Sequence, residues 1–307
     1  MILCCGEALI DMIPAQTDAG EGFVPHAGGA IYNTAIGLGR LGADVAMVTG
    51  LSRDLFGQIL QDGLVASGVE TSMFVQSDRP TTLAFVKLVD GHATYQFYDE
   101  NSASRMLQYE DIPSVPDDTK AMYFGGISLA CEPGADAYAA LCDAESDHRL
   151  IMIDPNIRPG FIQDEARYRD RLAGMFTRAD IVKVSDEDLD WIVTDVEGLS
   201  AQARALQAMG PKVVIVTLGK DGACAFLPGG VEVSVASQPT EVVDTVGAGD
   251  TFNAGVLAKL GQLGLLSKSS VEAMSLEQMH EVLAFGAKVA AVTVSRAGAN
   301  PPWAHEL

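Results

Sequence analysis

Short, nearly unbroken apolar runs recur along the chain, each closed by glycine or a polar residue. Residues 1–5 end at Gly6-Glu7, and residues 43–49 end at Gly50. Residues 121–124 precede Gly125-Gly126, and residues 150–153 precede Asp154-Pro155-Asn156. Residues 181–184 run into Ser185, and residues 213–216 into Thr217-Leu218-Gly219. Apolar runs of this kind suit parallel strands covered on both faces. Between them, apolar positions recur at helical spacing over residues 32–41, 56–67, 135–144 and 200–209. The alternation predicts an α/β fold with a doubly wound, mostly parallel sheet. Ligands in such sheets collect at the carboxyl ends of the strands, where Asp11, Asn156, Ser185 and Thr217 are expected. On this reading Asp11 ends the first strand.

One segment breaks the alternation. Residues 83–89 and 92–98 are β-prone runs joined by Asp90-Gly91, the signature of a tight hairpin. Residues 12–26 lack helical periodicity and can supply further strands beside it. The expected division is a core of residues 1–11, 28–78 and 106–307, with a small β lid from residues 12–27 and 79–105. The run Gly37-Leu38-Gly39-Arg40-Leu41-Gly42 matches a dinucleotide-binding spacing, but a helix precedes it and a strand follows. That order is the reverse of what the fingerprint needs, so these glycines read as helix packing and a helix stop.

The richest stretch is Val242-Val243-Asp244-Thr245-Val246-Gly247-Ala248-Gly249-Asp250-Thr251-Phe252. An apolar pair enters a turn with two glycines, and Phe252, Val256, Leu260 and Leu263 then mark one buried helical face. Gly247 and Gly249 let an anion approach the backbone without Cβ interference. The first amides of a helix lack internal partners, and the helix dipole adds positive charge there. A phosphate, or a phosphoryl group in flight, suits such a place. Asp250 beside it makes sense as a base that holds a hydroxyl and takes its proton. A plain helix N-cap is the alternative.

Composition narrows the classes. The chain has 307 residues, 48% of them hydrophobic, enough for a large core. A formal net charge of -21 and the lack of any Lys/Arg cluster argue against a nucleic-acid partner. Five cysteines without a CxxC pair indicate no disulfide framework and a reducing cytoplasm. Glu7 and Asp11 interrupt the first apolar run, so neither a signal peptide nor a membrane partner is expected.

The motifs together resemble the ribokinase-like (PfkB) carbohydrate kinases over nearly the whole chain. Gly28-Gly29-Ala30-Ile31-Tyr32-Asn33, with the Gly50–Gly57 segment after it, looks like the first family motif. The stretch around Gly247-Ala248-Gly249-Asp250 looks like the last. Asp154-Pro155-Asn156-Ile157-Arg158 is similar to a segment of fructokinase-type members.

The resemblance implies an ATP-dependent sugar kinase that phosphorylates a hydroxymethyl group of a ketohexose. Fructose is favoured, with 2-keto-3-deoxygluconate or a nucleoside as alternatives and a silent sugar sensor as the non-enzyme reading. It implies Asp250 as base, and an anion hole from Gly247, Ala248 and Gly249. Arg158 would contact the substrate or the phosphoryl group, unless it is a surface ion pair. For a carboxylated substrate, Arg105 or Arg158 would serve. Sugar contacts fall on Asp11, Gly28, Gly29, Asn33 and Phe97, although Asn33 also suits a helix N-cap. Nucleotide contacts fall on Lys183, Ser185, Thr217, Gly219, Gly222, Gly247, Gly249 and Ala287.

Ser185 and Asp188 stand where the family has Asn and Glu, so Asp188 would hold Mg²⁺ through water; a helix start with acidic first-turn residues is the plainer alternative. Asp244 and the 295–302 loop resemble a monovalent-cation (K⁺) site, but Pro302 replaces the usual Ser. A homodimer through the lid is the expected assembly.

Overall fold

The computed structural model describes residues 1–18, 20–89 and 92–307. The strands are β1 (Ile2–Cys5), β2 (Leu9–Thr17), β3 (Gly20–Gly28), β4 (Val45–Ser52), β5 (Phe74–Ser77), β6 (Leu83–Val89) and β7 (His92–Tyr98). They continue as β8 (Ala121–Gly125), β9 (Leu150–Asp154), β10 (Ile181–Ser185), β11 (Val213–Thr217), β12 (Ala223–Phe226) and β13 (Glu232–Val235). The helices are α1 (Ala30–Arg40), α2 (Leu55–Ala66), α3 (Gly134–Glu145), α4 (Glu165–Phe176) and α5 (Asp186–Ile192). Then come α6 (Leu199–Ala208), α7 (Ala248–Gln262), α8 (Lys268–Glu272) and α9 (Leu276–Val294).

Nine strands form the main sheet in the order β13-β12-β11-β10-β9-β8-β1-β4-β5. The pairs from β11 to β5 are parallel, and β12 and β13 add an antiparallel edge. From β1 the chain first steps to β4, and the later strands stack outward from β8 on the other side. The topological switch therefore lies between β1 and β8. Along each central strand, successive side chains enter opposite cores. Cys4, Met47, Tyr123, Met152 and Ile215 join the apolar cluster that includes α1, α7 and α9. Cys5, Val48, Phe124, Ile153 and Val216 join the one that includes α3, α4 and α6.

The second sheet has the order β3-β2-β6-β7. It contains the expected pair of hairpin strands, in register from Leu83↔Tyr98 to Val89↔His92. The Asp90-Gly91 turn itself lies outside the described residues. Residues 12–26 do contribute strands, as parts of β2 and β3.

Three expectations need correction. Asp11 does not end the first strand: it is the third residue of β2, opposite His26. The ladder with β4 and β8 stops at Cys5, so the apolar residues after Glu7 belong to the smaller sheet. Asn33 is not an N-cap, because Gly29 takes that place and Asn33 lies inside α1. The helix after Gly249 does not bury one face only. Every residue from Asp250 to Ala258 is buried, because α7 inserts between α1 and α9.

The glycines of residues 37–42 behave as read. A Cβ on Gly37 would meet Ala254 at 2.7 Å, and Gly42 follows the end of α1 with φ 78°. All five cysteines are free. Among the described residues, no helix is long and apolar enough to cross a membrane.

Candidate active site

The N-terminus of α7 opens with Gly247, whose left-handed backbone (φ 76°, ψ 3°) no L side chain favours. No side chain among the described residues caps this end. Among the described residues, the amides of Gly249 and Asp250 find no acceptor. A missing cap costs about 1 kcal/mol. Burying Phe252, Val256, Leu257 and Leu260 is worth roughly 1.5–3 kcal/mol each, so the helix holds without it. The tip thus keeps free donors for an anion. Asp244 steadies the approach: its Oδ1 accepts from the Val246 amide at 3.0 Å and its Oδ2 from the Gly298 amide at 2.9 Å.

Asp250 is 9% exposed, and its Oδ2 accepts from Asn33 Nδ2 at 2.9 Å. Thr34 Oγ1 donates to the Asp250 carbonyl at 3.0 Å, tying α1 to α7 at the same place. Burial pushes the Asp250 carboxyl up to about 7. Asp154 and Glu7 push the same way, while the Asn33 hydrogen bond and Lys183 oppose them. A carboxyl tuned near neutrality can accept a proton and later release it.

Beneath the tip lies a polar cluster that sequence reasoning did not assemble. Lys183 Nζ bonds Asp154 Oδ2 at 2.9 Å, with side chains only 6% and 2% exposed. Asn253, one turn after Asp250, donates from Nδ2 to the same Asp154 oxygen at 2.7 Å and to the Tyr123 hydroxyl at 2.8 Å. A Cβ placed on Gly249 would lie 3.3 Å from Lys183 Nζ, so the ammonium sits against the helix tip. One signal was available. Lys183 interrupts the apolar run of a strand covered on both faces, and a buried lysine needs a partner. Glu7, also missed, is buried where β1 and β8 diverge.

The other expected residues are spread around the same end of the sheet. Asp11 is half-buried in the smaller sheet, its carboxyl raised to about 6 by burial. A Cβ on Gly28 would lie 2.3 Å from Asp11 Oδ2, so the glycine makes room for the acid. Phe97 on β7 meets Phe161, just past Arg158, edge to face at 4.1 Å, joining the small sheet to the core. Arg158 is exposed, and its Nη1 donates to the Ile157 carbonyl at 2.9 Å. It makes no ion pair among the described residues.

Ser185 and Asp188 form a capping box at the start of α5, and Asp188 Oδ1 also accepts from the Ile157 amide at 3.1 Å. Thr217 ends β11, with Gly219 exposed and Gly222 buried in the following turn. Ala287 is buried in the apolar cluster beside Gly286, where α9 packs on Phe252.

Known proteins resemble the chain along its length. It is 50% identical over 279 residues to a fructokinase of Rhizobium leguminosarum bv. trifolii, covering 89% of this chain and 84% of that one. The structure of a fructokinase from Xylella fastidiosa with bound ATP matches with a TM-score of 0.89 at 28% identity, covering 97% of this chain and 93% of that one. A fructokinase from Vibrio cholerae O395 in its fructose-, ADP- and calcium-bound form matches with a TM-score of 0.83 at 25% identity, covering 97% and 94%. Residues 1–306 match the family described as pfkB family carbohydrate kinase. A free-amide helix tip with a buried acid beside it, on this sheet, agrees with that match: the chain belongs to the pfkB family of carbohydrate kinases.

Proposed function

We propose that the protein transfers the γ-phosphoryl group of ATP to a hydroxymethyl oxygen of fructose. The observation that carries the choice of sugar is the 50% identity to the rhizobial fructokinase. The fructose and ADP bound in the Vibrio cholerae relative support it. In this reading the hydroxymethyl oxygen attacks the γ-phosphorus in line. Its proton passes to Asp250, the bond to the bridging oxygen breaks, and ADP leaves. The Gly249 and Asp250 amides and Lys183 stabilise the moving charge, and Arg158 reaches it from the rim. Asp11, Gly28, Gly29, Asn33 and Phe97 hold the sugar. The turn at Thr217, Gly219 and Gly222, with Ser185 and Ala287, takes the nucleotide. The four-stranded sheet (most of residues 12–27 and 79–105) acts as a lid that excludes water.

Among the described residues, no three carboxylate, histidine or cysteine side chains converge as a metal cage. In this reading Mg²⁺ is carried on the nucleotide phosphates and held through water, for which Asp188 retains free lone pairs. When bound, the ion neutralises charge on the phosphate oxygens. Asp244 is the residue that would share a monovalent cation with the 295–302 loop. Exposed Ile13, Phe23, Val24 and Tyr98 on the small sheet support a homodimer through it, and free thiols suit the cytoplasm.

Arg105 weighs against a sugar acid, because Asp99 pairs with it at 2.7 Å and the Glu132 carbonyl takes its Nε at 3.0 Å. Comparing kcat/KM for fructose, 2-keto-3-deoxygluconate, ribose and adenosine in an ADP-release assay tests the proposal. Fructose is expected to rank first. A higher value for the sugar acid overturns the substrate, and thermal stabilisation by fructose without ADP release overturns the enzyme.

The base assignment predicts a pH profile. The carboxylate is the active form, and the folded-state value is raised. kcat/KM should therefore climb with unit slope and reach half its plateau near pH 7. Asn33→Ala removes the bond that favours the ionised form, so its rise should move to higher pH. A flat profile across pH 5–8 would remove Asp250 as the titrating group.

A further inference from the structure

Glu7 follows the central strand at the point where the strand order reverses, and the residue is 4% exposed. Oε1 accepts from the Ala30 amide at 2.9 Å, the first residue of α1. Oε2 accepts from the Ser128 amide at 3.3 Å, in the turn after β8. The surroundings are shaped to admit this group. Gly126 has φ 67°, and a Cβ there would lie 2.3 Å from Oε1. Tyr138 donates to the Gly6 carbonyl at 3.1 Å and Ser128 Oγ to the Gly125 carbonyl, which fixes both flanking turns. Two backbone donors converge on two oxygens, a demand that a carboxylate meets and a carboxamide does not.

We infer that Glu7 is the positioning residue for the acceptor side of the reaction: it clamps the Gly28-Gly29 turn and the first turn of α1 to the core sheet, and so aims Asn33 at Asp250. This rests on the kinase reading. The geometric chain is short. Glu7 holds Ala30, Asn33 follows one turn later on the same helix, and Asn33 Nδ2 meets the Asp250 carboxylate. Glu7 also adds negative charge to the field at Asp250. The other charged or titratable groups facing Asp250 are Asp154 from β9, Lys183 from β10 and Tyr123 from β8. Glu7 touches no reacting atom; its effect passes through α1.

The test uses the full-length protein with fructose and ATP, in Glu7→Gln and Glu7→Asp variants. Glu7→Gln turns an NH₂ toward one of the two amides and removes the charge. Its kcat/KM for fructose should fall ~10²-fold, as expected for a misplacement of about 1 Å. The KM for ATP should stay near that of the parent, and the rise in the pH profile should move to higher pH, because losing the Asn33 bond outweighs losing the Glu7 charge. Glu7→Asp keeps the charge but cannot span both amides. It should lose similar activity, with the rise moved to higher pH at least as far, because the charge stays while the Asn33 bond is lost.

Parental kcat/KM in both variants overturns the inference. So does an equal loss for fructose and ATP, or a failure of both variants to fold, because Glu7 would then be a general brace. Absence of fructose-dependent ADP release from the unsubstituted protein overturns the kinase reading itself, and this inference with it.

Discussion

Asp250→Ala lowers kcat ~10²–10⁴-fold, the usual contribution of a positioned proton acceptor. The fold should survive. The side chain's hydrogen bond comes from Asn33, and its carboxyl is already raised by burial, so its removal relieves a desolvation cost. Asp250→Asn, which keeps the shape, should lose a comparable factor and so separate proton acceptance from packing. The KM for ATP should change little, because the free amides at the tip belong to the backbone and remain. The measurement is a coupled ADP-release assay alongside a thermal melt. A folded Asp250→Ala protein with parental turnover would remove the acid from the mechanism.

Lys183→Met is expected to have the largest effect on stability. Asp154 and Lys183 are almost wholly removed from water, so deleting the cation strands a buried carboxylate. Breaking such a pair typically costs about 3–5 kcal/mol. For a chain of this size that lowers the melting temperature by on the order of 10 °C. Activity should fall as well, since the ammonium lies against Gly249 at the helix tip. Adding Asp154→Asn removes the stranded charge. The double variant should regain most of the lost stability while staying poorly active. A Lys183→Met protein that melts within 2–3 °C of the parent would show that Asp154 finds another partner, and the cluster would lose its assigned role.

The fold was largely readable because its central strands lie under helices on both sides. β1, β4 and β8 to β11 stand out as apolar runs for that reason. β5, β12 and β13 were not anticipated. Each has four residues, and β13 has one face in solvent, so hydrophobic continuity does not mark them. The all-round burial of α7 was hidden too. Thr251 and Asn253 look like solvent-facing positions, and only the close approach of α1 and α9 buries them.

At the site, the helix tip and Asp250 were legible because they occupy one contiguous stretch. Asn33 and Asp250 lie 217 positions apart, and Asp154 and Asn253 lie 99 apart. Contacts of that range leave no local pattern. The acid at Asp11 was noticed but assigned to the wrong strand, because Gly6 and Glu7 interrupt an apolar run that in fact serves two sheets.

α7 starts at Ala248 yet fills the space between α1 and α9. During synthesis, the ribosome releases α1 and most of the large sheet long before the helix that covers them. Until then the flank of α1 that meets α7 at Gly37 and Thr34 stays uncovered. The nascent polypeptide gains phosphotransfer competence only when its last fifth packs into place.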